Sequence, residues 1–217
     1  MLPNTHIAIK YIVVGDSGTG KTSLLQHFFN DAPPYNEENL GPQATVGVDH
    51  LTKRIMTERY GAIDCCLWDT SGMEKYNSVS LTQAFYRGAH GVLLVFDVTS
   101  RQSFEHLTDI WLKRLRTTAT MHSQCKYIMV GNKIDLHEKL RQVSTEEAAA
   151  VAHQHGMQGY IEVSSHHSDC TLIRMPFILL ANELITTGVC KRTECPPEVV
   201  KRVSPDIGEE KKCCGDG

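Results

Sequence analysis

Apolar positions recur in two rhythms along the chain. From His6 to Val14 the residues are mostly β-branched and apolar, and the run stops at Gly15. Ile63 to Trp68, Gly91 to Val98, Lys126 to Val130 and the shorter Tyr160 to Val163 have the same character. Near-continuous apolar runs of this kind predict strands buried on both faces, as in a parallel sheet. Between them the period changes. Thr22 to Asn30 has helical character. Ser103 to Arg116 carries Phe104, Leu107, Trp111 and Leu115 at spacings of three and four, a stripe that predicts an amphipathic helix. Ser144 to His153 opens with Ser-Thr-Glu-Glu, a helix-start signal. Ile173 to Thr187 puts Ile173, Phe177, Leu180 and Leu184 on one face, with Pro176 expected in the first turn. Strands alternating with helices predict an α/β fold: a mostly parallel sheet covered on both faces by helices.

From about Gly188 the pattern fades. Pro196, Pro197, Pro205 and Gly208 are interleaved with charges, which predicts a folded domain over residues 1–187 and a flexible tail over 188–217. Of 217 residues, 41% are hydrophobic and 22% charged, so one domain with a sizeable core is affordable. The formal net charge of −3 gives no general attraction to nucleic acid. The first residues lack a basic region followed by an apolar run, so no secretory signal is expected, and no apolar stretch is long enough to span a bilayer as a helix. Cys65, Cys66 and Cys125 lie in strand-like runs and read as small reduced hydrophobes rather than a disulfide framework. The histidines, His153, His155, His166 and His167 among them, lack metal-ligand spacing and read as surface or helix-end residues.

Against this frame, one motif is sharp. Gly15-Asp16-Ser17-Gly18-Thr19-Gly20-Lys21-Thr22 is a glycine, four residues, then Gly-Lys-Thr, with a strand before it and a helix after. Such glycines let backbone N–H groups converge on phosphate oxygens, and the helix N-terminus adds its positive end. The candidate phosphate-binding residues are Ser17, Gly18, Thr19, Gly20, Lys21, Thr22, Ser23 and, further on, Gly72. Lys21 is placed to reach the β- and γ-phosphates, and the Thr22 hydroxyl to ligate Mg²⁺. Leu67-Trp68-Asp69-Thr70-Ser71-Gly72 sets an acid at a strand end, which suits a carboxylate in the Mg²⁺ shell.

The base is addressed by Val130-Gly131-Asn132-Lys133-Ile134-Asp135. A buried Asp135 carboxylate can take two N–H bonds from guanine, a pair that adenine does not offer. Asn132 can bond the base and tie neighbouring loops, and the Lys133 stem can lie over the purine. An adenylate-using kinase or ATPase is disfavoured on these residues.

At this point the chain resembles the Ras superfamily and, within it, the Rab family. The resemblance covers roughly residues 5–187 and the cysteine pair. It rests on Ala44-Thr45-Val46-Gly47-Val48-Asp49, Leu67-Trp68-Asp69-Thr70, Phe85-Tyr86-Arg87-Gly88-Ala89, Leu94-Val95-Phe96-Asp97-Val98-Thr99 and Cys213-Cys214. It implies a P-loop NTPase fold of Ras type with a six-stranded sheet. It also implies a GTPase that regulates vesicle traffic by cycling between GDP and GTP, with Mg²⁺ held by Thr22, Thr45 and Asp69. Two segments, around Tyr35 to Asp49 and about Asp69 to Arg87, would be ordered by the γ-phosphate and read by effectors. The implied partners are an exchange factor, an activating protein, effectors, and prenylation escort and lipid-extraction factors. The implied location is the cytoplasmic face of intracellular membranes with a cytosolic pool.

Four positions depart from the family pattern. Met73 stands where the catalytic glutamine follows the Asp-x-x-Gly glycine, so the catalytic set reads Lys21, Thr45, Gly72 and Met73, and slow hydrolysis is expected because a thioether does not orient water as an amide does. Ser71 replaces an alanine. Ser164-Ser165-His166 stands for Ser-Ala-Lys and completes the guanine set with Asn132, Lys133 and Asp135. Pro33 occupies the place of the aromatic that stacks on guanine, with Tyr35 the nearest substitute. Cys213 and Cys214 resemble a double geranylgeranylation site, where two chains give the stable anchoring that one does not. This matters because the tail from Gly188 carries equal numbers of basic and acidic residues. Two readings stay open: a slow catalytic switch, and a GTP-loaded scaffold that hardly hydrolyses. Loss of base binding is a third, opposed by the intact Asn-Lys-x-Asp.

Overall fold

The computed structural model describes residues 5–31, 50–69, 86–117, 124–136, 140–166, 169–191 and 193–194. The strands are β1 (Thr5–Val14), β2 (His50–Thr57), β3 (Gly61–Asp69), β4 (Gly91–Asp97), β5 (Lys126–Asn132), β6 (Tyr160–Glu162) and the two-residue β7 (Thr193–Glu194). The helices are α1 (Lys21–Asn30), α3 (Thr145–Gln154) and α4 (Cys170–Thr186), with α2 between β4 and β5 built from Arg101–His106, a π-helical stretch Leu107–Leu112 and Lys113–Thr117. A short 3₁₀ turn covers Ile134–Leu136. The main sheet runs β2-β3-β1-β4-β5-β6. β1 lies parallel to β3 and β4, β4 to β5 and β5 to β6, and only β2 is antiparallel, on the edge against β3. This is the expected six-stranded, mostly parallel α/β sheet.

The alternation of side chains across the pleat sorts the core into two layers. Ile7, Ile9, Tyr11 and Val13 of β1, with Leu93, Val95, Ile128 and Val130, pack beneath Leu24, Leu25 and Phe28 of α1 and Ile173, Phe177, Leu180 and Leu184 of α4. Ile12 and Val14, with Val92, Leu94, Phe96 and Met129, face Phe104, Leu107, Trp111 and Leu115 of α2 and Ala148 and Ala152 of α3. Every residue of β4 is buried, as a central strand covered on both sides must be. Cys65 is buried in the first layer and its neighbour Cys66 turns to the other face, half-buried. Burial pushes the Cys65 thiol up to about 12, so it stays a protonated hydrophobe at neutral pH.

Several expectations are corrected. The last helix begins at Cys170, one turn before Ile173, because the Asp169 side chain accepts the Thr171 N–H and caps it; Pro176 therefore lies inside the helix rather than in its first turn. The predicted α2 stripe is present, but the helix carries a π stretch in its middle. The edge strand β2 was not anticipated: Leu51 and Met56 are exposed, and one-sided pairing leaves it without an inward-and-outward apolar run. The chain after Gly188 is not detached at once. Val189 and Cys190 pack on the first core layer, and Thr193–Glu194 pairs antiparallel with Thr5 and His6 at the start of β1. Among the described residues, no helix is long and apolar enough to cross a membrane.

Candidate nucleotide site

The site forms at the carboxyl ends of β1, β3, β4 and β5, where an open parallel sheet leaves a crevice. β1 ends at Val14 and the chain curls through Gly15 to Gly20 into α1. Two glycines are dictated by close approach. A Cβ on Gly15 would sit 2.0 Å from the Val95 carbonyl oxygen of β4. At Gly20, where φ is +87°, it would sit 2.3 Å from the Asn132 amide nitrogen. Gly20 is also the N-cap of α1, with no side-chain cap and no acid in the first turn, so the first-turn N–H groups face the loop. Thr19 and Lys21 are buried, whereas Ser17 and Gly18 are exposed at the tip. Lys21 Nζ donates to the carbonyl oxygens of Gly15 (2.9 Å) and Asp16 (2.7 Å), which holds the ammonium over the curled backbone. Thr22 and Ser23 follow in the first turn of α1.

Two of the three candidate metal ligands lie together. Thr22 Oγ1 donates to Asp69 Oδ2 at 2.7 Å, and Asp69 is buried at the end of β3. A hydroxyl and a carboxylate oxygen so close together form a hard oxygen pair that fits Mg²⁺, an ion content with few protein ligands beside phosphate and water. Thr45 lies outside the described residues. So do Gly72, Met73, Ser71, Pro33, Tyr35, His167, Cys213 and Cys214, the first predicted switch segment, and most of the second.

Asn132 joins the two halves of the site. It is 1% exposed. Its Nδ2 donates to the Thr19 carbonyl of the phosphate loop at 2.8 Å. Its Oδ1 accepts from the Ser165 backbone N–H and from the Ser165 hydroxyl, both at 3.1 Å. One amide thus fixes the phosphate loop, the end of β5 and the loop after β6. Lys133 adopts a left-handed φ of 67°, which swings its ammonium onto Asp97 Oδ2 at 2.7 Å. Burial pushes the Asp97 carboxyl up, but the Lys133 ammonium and the Thr99 donors outweigh it and hold the carboxyl below its ordinary value.

Asp135 is exposed, not buried as the sequence suggested, because it sits on the surface 3₁₀ turn. Its Oδ1 accepts from the buried Ser164 hydroxyl at 2.5 Å, so the two meet at the base end of the crevice. Ser164 Oγ also accepts the His166 N–H at 3.1 Å, while the His166 ring lies on the exposed side. The guanine candidates Asn132, Lys133, Asp135, Ser164, Ser165 and His166 are therefore brought to one place.

Sequence reading missed two supporting residues. His27, expected at a surface or helix end, is fully buried: Nδ1 donates to the Ser165 carbonyl at 2.9 Å, and Nε2 lies 3.8 Å from Cys170 Sγ. It pins the base loop from α1. Asp16 does not face the crevice; both its oxygens are taken by α2. A lone histidine in a helix and one acid among glycines carry no pattern that announces either contact.

A glycine loop with its lysine, a threonine–aspartate metal corner and an Asn-Lys-x-Asp base loop, bound together on a parallel sheet, define a nucleotide-binding protein of the P-loop class. Comparison with known proteins sharpens this. The model of the Ras family matches residues 10–185. The chain is similar to Ras-related protein Rab-1 of Theileria parva, 44% identical over 156 residues, 72% of this chain and 66% of that protein. It is 41% identical to Ras-related protein Rab-11B of Dictyostelium discoideum over 160 residues, 74% of this chain and 67% of that protein. With Ras-related protein Rab-25 of the dog it is 36% identical over 216 residues, covering 96% of this chain and 94% of the relative. Two of these matches thus span about two thirds of the relative's length, and one spans nearly all of it. The chain belongs to the Ras family and, within it, to the Rab small GTPases.

Proposed function

We propose that this chain is a GDP/GTP-switched regulator of vesicle traffic that hydrolyses GTP slowly. The observation that carries the reading is the Asn132 bridge, which makes the phosphate loop and the guanine loop one hydrogen-bonded unit. In this reading Lys21 and the loop N–H groups hold the β- and γ-phosphates, and Asp135 and the Ser165 N–H select guanine. Thr22, Asp69 and Thr45 hold Mg²⁺, which when bound neutralises charge developing on the phosphate oxygens. The Gly72 N–H meets the γ-phosphate. Met73 offers no amide to orient the attacking water, so the step depends on Lys21 and the backbone donors.

Residues 1–187 act as the switching domain, and Cys213 and Cys214 take prenyl groups that hold it to the cytoplasmic face of an intracellular membrane. An exchange factor, an activating protein, effectors, and escort and extraction factors act on it there. The Met73 substitution also favours a second reading, a GTP-loaded scaffold that recruits effectors without appreciable turnover.

Single-turnover hydrolysis with Mg²⁺, on wild type and Met73→Gln, tests this. The expected outcome is bound guanine nucleotide in both and a rate about 10- to 100-fold higher in the glutamine variant. Equal rates at the level of a fast enzyme would remove the slow-switch reading. GTP bound and turned over by neither would establish the scaffold.

A further inference from the structure

Asp16 is the single acid in the phosphate loop, and a carboxylate beside a phosphate cradle is electrostatically adverse. Its side chain is turned the other way, against α2. Trp111 Nε1 donates to Asp16 Oδ1 at 2.8 Å, and His106 Nδ1 donates to Asp16 Oδ2 at 2.6 Å. Each oxygen has its own donor. The two donors are five residues apart. In a helix of 3.6 residues per turn, such residues point about 140° away from each other. They meet on one carboxylate here because the helix between them is π over Leu107–Leu112, and the wider i→i+5 turn brings residues five apart to the same side of the helix. The ring of Trp111 is at the same time part of the core beneath the sheet, so the clamp is anchored in the second core layer. The Asp16 carbonyl on the same residue accepts from Lys21 Nζ, Thr19 Oγ1 and the Thr19 N–H, so a displacement of Asp16 is passed directly to the lysine and to the curl of the loop.

We propose that His106 and Trp111, aligned by the π turn, are positioning residues for the phosphate loop: they hold the Asp16 carboxylate out of the cradle and so set how tightly the loop retains a nucleoside diphosphate. This rests on the nucleotide-binding reading. It assigns the π turn a purpose, since an uninterrupted α-helix would present only one of the two donors to Asp16.

The test is the release rate of a fluorescent GDP analogue from the full chain with Mg²⁺, with thermal unfolding as a folding control. His106→Leu is expected to release about tenfold faster, the loss of one charge-assisted hydrogen bond. His106→Asn places its amide nitrogen where Nδ1 stands and is expected to restore most of the wild-type rate. His106→Gln, whose nitrogen matches Nε2 instead, is not. Trp111→Phe, which keeps the ring packing and removes the N–H, is expected to act in the same direction as His106→Leu. In an Asp16→Ala background, His106→Leu should have no further effect. Wild-type release rates in both His106→Leu and Trp111→Phe would overturn the clamp, as would an unchanged His106→Leu effect without Asp16. A wild-type chain that binds no GDP analogue would overturn the nucleotide reading and the clamp together.

Discussion

The phosphate loop and the base loop meet at Asn132, yet they are built on different principles. The phosphate loop is a backbone structure: Gly15 and Gly20 are forced by a strand carbonyl and an amide that leave no room for a Cβ. The base loop is mainly a side-chain structure: Asn132, Ser164, Ser165, Asp135 and the buried His27 hold one another, with Gly131 making room for Tyr160 at the end of β5. A backbone cradle recognises what every nucleotide shares, while a mesh of side chains recognises what distinguishes one base from another. It follows that the first should tolerate no added atoms and the second no lost ones.

The largest effect is expected at the joint. Asn132→Ala removes three hydrogen bonds within a buried site, at a cost of about 3 kcal/mol in retained nucleotide, or roughly 100-fold in GDP affinity. Equilibrium titration with a fluorescent GDP analogue measures it, and a loss under tenfold would mean the loops stand independently. Gly20→Ala probes the cradle: with φ at +87° and Asn132 Nδ2 in the way, about 1–3 kcal/mol of stability should be lost in denaturant unfolding. If it unfolds like wild type, the loop is less constrained than its contacts imply.

The smallest effect lies at the Lys133–Asp97 pair. Asp97 is held below its ordinary value in the fold, so its contribution is present above the unfolded carboxyl range and fades as pH falls through the lower folded value. Asp97→Asn should cost about 1 kcal/mol near pH 7, with the difference from wild type closing below about pH 4. A gap that persists into acid would assign the cost to packing instead of charge.

The same contrast explains what the sequence disclosed. The central strands and the glycine cradle were legible because burial on both faces writes apolar runs, and close approach writes glycine. Asn132, Lys133 and Asp135 were legible as a spaced triplet. The links between them were not, because Ser165 comes from the far side of β6 and His27 from α1, and such pairings are set by tertiary geometry. The exposed edge strand β2 has one partner and half-polar faces, so it leaves a faint pattern. The Pro176 error arose because the cap at Asp169 lies before the apolar stripe begins. The π turn escaped notice because Phe104, Leu107, Trp111 and Leu115 also satisfy ordinary helical spacing.

The pairing of Thr193–Glu194 with the start of β1 has a geographical consequence. β1 runs from that pairing to the phosphate loop, about 33 Å for a strand of ten residues, so the chain departs from the pole opposite the nucleotide crevice. About 20 further residues lead to Cys214, and at about 3.5 Å each they reach at most about 70 Å. If the proposed attachment through Cys213 and Cys214 turns that pole towards a bilayer, the crevice faces the cytosol, open to visitors on the side away from the lipid.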